Sequence, residues 1–326
     1  GYGRRAPAIG ASCAVVVACA LLGSCGPRTP PAPVTIRSLR GPPLLIDPGG
    51  LPERRVIARA RTRALATDVD NVYFGDRDEL YSAPKRGGER RRIGERSPLA
   101  IAVAERIFWI AEPGDTLRAT RPGEPGEVLV RTTGVLTDLV SDGRDVFVAD
   151  TVRSAGVVLR VVGSTTARIG TVDVAPLALG TDAADAYVLS EHAIHAVPRR
   201  PGGAPRVVFE GEALSGLQVS GGYVFTTATI GSSRALVRIP SAGGGAFVLE
   251  RAVRDGPFAV FAAEVFFFDA DQPALRRVSV QGGASAVVAR APELANANEL
   301  VVDASGIYIA TEDDRGGVVL GLPRPP

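Results

Sequence analysis

The chain has 326 residues, 45% of them hydrophobic, with 37 basic side chains against 35 acidic ones. A balance this close gives no overall field to draw in nucleic acid, so no nucleic-acid partner is expected. All three cysteines precede residue 26, which excludes a disulfide framework and a thiolate zinc site from the rest of the chain.

The first element in chain order is a leader. Arg4 and Arg5 open it, Ala6 to Leu22 is nearly all apolar or small, and Gly23 and Ser24 lead into Cys25. A charged start, an apolar core and a small-residue cleavage site make the order of a secretory signal, and an apolar run of about 17 residues is short for a membrane span. Leu22-Gly23-Ser24-Cys25 resembles the lipobox of bacterial lipoproteins. The resemblance implies that residues 1–24 are a signal peptide and that Cys25 is lipidated. Val16-Val17-Ala18-Cys19 fits less well, because Cys25 follows a longer apolar run and Pro27 breaks the chain at once. Residues 25–50 carry seven prolines and predict an extended tether. The chain opens on Gly1 and holds no methionine, which leaves its natural start open. The expected location is the cell envelope, lipid-anchored, periplasmic or surface-exposed.

Residues 51–326 form the predicted folded body, and they repeat. An acidic or glycine-rich turn, an aliphatic residue and an aromatic one recur as DVDNVYF, AERIFW, DGRDVFV, DAADAYV, SGGYVFT, AAEVFFF and DASGIYI. The aromatic falls at Tyr73, Phe108, Phe147, Tyr187, Phe225, Phe266 and Tyr308, at intervals of 35 to 42 residues. Each unit supplies four short strand signals divided by Gly, Asp and Pro turns. The second strand is apolar on both faces, as blades stacked around a ring require. This predicts an all-β, seven-bladed β-propeller of four-stranded blades. The last unit supplies three strands, and VIARA (Val56 to Ala60) matches VVARA (Val287 to Ala291), so an N-terminal outer strand is expected to close the ring. Leu44 to Ile46, a possible extra strand, leaves six or eight blades as the alternative. The units resemble bacterial YWTD, NHL and TolB-like propeller lipoproteins over residues 56–326, with IFWIAE (Ile107 to Glu112) nearest to an intact motif. The resemblance implies the fold, and it covers binding platforms, assembly factors, lyases and lactonases.

No nucleophile elbow, P-loop or HExxH is present. His192 and His195 fall on opposite faces of a strand and do not share a metal. The pairs Asp269 with Asp271 and Asp313 with Asp314 lack the spacing of a calcium loop and read as turn chemistry. No catalytic residue, metal or cofactor is therefore assigned. Charge sorted by loop is more informative. Loops from second to third strand hold Asp76, Asp78, Glu79, Glu112, Asp115, Asp269, Asp271, Asp313 and Asp314, a candidate partner-binding acidic face. The outer hairpins hold Arg86, Arg90, Arg91, Arg92, Arg199 and Arg200, a candidate membrane-facing rim. The expected function is a non-catalytic binding or assembly platform tethered to the membrane, with an envelope protein or polymer as partner. A channel-sited lactonase or lyase is the alternative.

Overall fold

The computed structural model describes residues 37–38, 54–313 and 316–325. The leader, Cys25 and Leu44 to Ile46 lie outside the described residues. Seven antiparallel sheets of four strands follow one another along the chain. The first blade is Leu65–Thr67, Asn71–Asp76, Glu79–Pro84 and Arg91–Glu95, and the same meander repeats through the sixth, which ends at Arg290. The two-residue strand Arg37–Ser38 adds in parallel to the outer edge of the fifth blade. The innermost strands touch in order, and that of the seventh blade touches that of the first, so the ring is closed.

Closure follows the three-plus-one pattern. The seventh blade takes Ala297–Val302, Ile307–Asp313 and Gly316–Leu322 from the C-terminal end, and Arg55–Arg59 supplies its outer strand. Arg55 pairs with Gly321, Val56 with Leu320, Ala58 with Val319 and Arg59 with Val318. Ala60 N–H then donates to Gly317 O at 3.0 Å. The Thr62 hydroxyl accepts from Gly75 N–H at 3.0 Å and the Thr62 carbonyl accepts from Asn298 Nδ2 at 2.9 Å. One connector residue thereby ties the last blade to the first.

The repeat aromatic has a single structural role. Side chains of successive strand residues point to opposite faces, and in a blade each face meets a neighbouring blade. Tyr73, Phe108, Phe147, Tyr187, Phe225, Phe266 and Tyr308 accordingly fall in seven different apolar clusters. Each cluster joins one blade to the next. At the junction of the first and second blades, Tyr73 and Leu80 meet Ile107, Trp109 and Ala111. At the seam, Ile57, Val72 and Phe74 meet Tyr308 and Val319. Among the described residues the fold has seven interfacial cores and no central one.

The acidic turn ahead of the aromatic is an Asx turn. One carboxylate oxygen of Asp68, Asp142, Asp182 and Asp303 accepts the backbone N–H groups two and three residues on. The other oxygen takes the hydroxyl of Tyr73 or Tyr187, Arg199, or Lys85 with Thr67. Replacing Asp182 by Ala is expected to cost about 2–3 kcal/mol, because two N–H groups and the nearly buried Tyr187 hydroxyl lose their acceptor. Urea unfolding measures it, and a loss under about 0.5 kcal/mol would contradict the role given to the turn.

Candidate functional site

In each blade the first turn and the outer hairpin share one face of the ring, while the second turn and the connector to the next blade share the other. The closing strand runs between them. Arg55 begins beside Gly87 in the outer hairpin of the first blade, and Ala60 ends beside Gly317, at the start of the third strand of the seventh, next to its second turn.

On the hairpin face the six predicted arginines divide into two groups. Arg86 and Arg91 are exposed and line a groove of about 930 Å³ between the first two blades, together with Lys85, Asp70 and Glu89. Arg200 is exposed as well. Arg199 is a clip between blades: it binds Asp142 at 2.5 Å and Asp145 at 3.0 Å, donates to Asp182 O at 2.7 Å, and lies over the Phe147 ring. Arg92 pairs with Glu79 at 2.7 Å. Arg90 crosses the Tyr81 ring and reaches Asp76 at 2.6 Å, on the opposite face.

The predicted acidic residues divide in the same way. Asp76, Glu79 and Asp269 are held by Arg90, Arg92 and Arg276, and Asp115 accepts from the Thr116 hydroxyl at 2.5 Å. Asp269 also accepts Asp271 and Gln272 N–H. Burial works to raise the Asp269 carboxyl, and the Arg276 and backbone hydrogen bonds outweigh it, leaving it below its ordinary range. Asp78, Glu112 and Asp271 are exposed. The side chains of Asp313 and Asp314 lie outside the described residues. His192 is exposed near Glu191, whereas His195 is half-buried in Ala193–Pro198, and burial lowers its pKa. Among the described residues no group of three or more His, Cys, Asp or Glu is placed to hold a metal. No described helix is long and apolar enough to cross a membrane.

Two features escaped the sequence reading. The first is a bowl of about 530 Å³ on the second-turn face, at the closure seam. Sorting charge by second turns left out the connector that follows the closing strand, and this connector carries Arg61 and Arg63. With Arg59, Arg77 and Arg90 they surround the bowl, facing Asp76, Glu112 and Glu312. Arg61 stands 3.9 Å from Glu312.

The second is a carboxyl pair at the centre. Asp138 lies two residues ahead of Val140, which pairs with the repeat aromatic Phe147; Glu299 lies two ahead of Val301, which pairs with Tyr308. They hold the same level in the third and seventh blades, where the other blades place Ala, Gly or Pro. Asp138 accepts Leu179 N–H of the next blade at 2.7 Å. Burial pushes the Asp138 carboxyl up to about 6 against its hydrogen bonds from Leu179 and Leu139. Burial and then the Asp138 charge push Glu299 up to about 8. Blades three and seven are not adjacent, so the two groups feel one another across the middle of the ring. An acid inside an otherwise aliphatic innermost strand, as in LTDLV and NELVV, is the signal that marks them.

No family model matches the chain, and no curated protein is similar to it. Solved structures are similar in shape. The AfRom2 CNH domain aligns with a TM-score of 0.61 at 12% identity, over 84% of this chain and 100% of that one. PorZ of Porphyromonas gingivalis, a bacterial surface component of the type-IX secretion system, aligns with a TM-score of 0.61 at 13% identity, over 84% of this chain and 39% of PorZ. Oligogalacturonate lyase of Vibrio parahaemolyticus gives 0.58 at 9%, over 83% and 91%. Identities this low define the fold, a β-propeller, and nothing of the chemistry.

Proposed function

We propose that this protein is a binding platform of the bacterial cell envelope, lipidated at Cys25 after removal of residues 1–24. Residues 25–50 tether the 51–326 propeller, and one face of the ring receives a protein partner. The observation that carries the reading is the path of the closing strand. After Arg37–Ser38 lies along the fifth blade, the chain enters the closing strand at Arg55 on the hairpin face and leaves it at the arginine bowl on the opposite face. A body held by one face and open at the other suits a platform. Head-group contact falls to Arg86, Arg91 and Arg200, since Arg90, Arg92 and Arg199 are spent on carboxylates. Each free arginine adds about 1 kcal/mol at an anionic surface. Among the proteins of similar shape, PorZ works at a bacterial surface.

Labelling of producing cells with a palmitate analogue should mark the wild type and spare Cys25→Ser. Equal labelling of both would remove the anchor. The propeller should sediment with anionic vesicles at low salt and do so less after Arg86→Ser with Arg91→Ser. A second reading, a channel-sited lyase or lactonase, draws on Asp138 and Glu299 alone. A turnover abolished by Glu299→Gln would favour it.

A further inference from the structure

We propose that the arginine bowl at the closure seam receives an acidic segment of a partner protein. The inference rests on the platform reading and gives that platform a binding site. Arg59, Arg63 and Arg77 are exposed, and their guanidinium groups meet no carboxylate among the described residues. Arg90, by contrast, is already engaged by Asp76. A guanidinium is a rigid fork that matches a carboxylate with two parallel hydrogen bonds. Three such forks around a bowl of about 530 Å³ fit several acidic side chains on a short stretch of chain. The arginines are placed by the closing strand, by the Thr62-fixed connector and by a tight turn, so the site is set before a ligand arrives.

The lining selects among anions. Glu112 and Glu312 stand in the same bowl, and the exposed Leu99 supplies part of its wall. A polyphosphate packs its charges several times more densely than a peptide backbone spaces its carboxyl side chains, and so meets stronger repulsion at those two carboxylates. A protein segment mixes acids with neutral, apolar and basic residues, and so matches both signs and the leucine.

Fluorescent hexaglutamate is the probe, with hexalysine and linear hexaphosphate beside it, all titrated into the purified chain at one low ionic strength. Hexaglutamate should bind and weaken as salt is raised. The variant Arg59→Ser, Arg63→Ser, Arg77→Asn should bind it at least about tenfold more weakly. Asn is chosen at position 77 because Arg77 has φ 55°, which Asn tolerates. Arg86→Ser with Arg91→Ser, on the other face, should leave hexaglutamate binding intact. If the triple variant does not fold, Arg77→Asn alone is read, and a loss of about threefold or more is expected. Equal binding by a folded variant and the wild type would overturn the site. Tighter binding of hexaphosphate than of hexaglutamate, or binding of hexalysine to the bowl, would overturn the choice of a protein segment. Labelling at Cys25 reports on the tether and is blind to this site, so the two readings fail separately.

Discussion

A chain shortened to begin at Arg61 should lose most of its stability and aggregate, while one beginning at Arg54 should melt close to the full chain. The shorter one lacks Arg55–Arg59, so the seventh blade keeps three strands with an open edge. It also loses Ile57, Ala58 and Ala60, which are buried at the seam. Burying Ile57 is worth about 1.5–3 kcal/mol, and each strand hydrogen bond adds about 0.5–1.5 kcal/mol. Together they approach the 5–15 kcal/mol that holds a typical domain. A point substitution tests the same seam. A Cβ on Gly317 would lie 2.1 Å from the Ala60 carbonyl oxygen, and backbone has no room to yield there. Gly317→Ala should therefore reproduce part of the loss. Calorimetry of the two truncations and of Gly317→Ala decides it, and three similar melting temperatures would contradict the closure.

Replacing Glu299 by Gln should stabilise the protein at alkaline pH and leave it nearly unchanged at pH 5. In the unfolded chain this carboxyl ionises near its ordinary 4.5, and in the folded ring near 8. Between those values the folded state binds a proton that the unfolded state has released, so this group's contribution to stability falls as pH climbs through the window and is constant above it. Each unit of displacement is worth about 1.4 kcal/mol. Water in an open ring relaxes the burial, so the gain at pH 9 should be roughly 2–3 kcal/mol. Asp138 adds a smaller contribution of the same sign, ending near 6. Urea midpoints of wild type and Glu299→Gln at pH 5, 7 and 9 read it directly. A gap that does not widen with pH would show that Glu299 ionises normally.

The seven-bladed ring was legible because it is written seven times. One aromatic every 35 to 42 residues marks one interface per blade, and its acidic turn marks the Asx geometry that starts the strand. Closure was legible too, from VIARA standing without a blade. The charge pattern was less so. Sorting by loop placed Arg90 on one rim, but an arginine spans most of a blade edge, and its head reaches Asp76 on the far face. The bowl depends on a connector that belongs to no repeat, so no comparison among repeats could expose it. Asp138 acts on Glu299 only because the ring carries two distant innermost strands round one middle.

The closing strand is among the first parts of the body to be synthesised, yet its partner Gly316–Leu322 is among the last. A ribosome that has made six blades therefore holds an arc with a raw edge at each end, and no sequence of local steps can finish it. The final event is a search between segments some 260 residues apart, the kind of contact that makes folding slow. A chain built in this way stays unlatched until its last strand emerges.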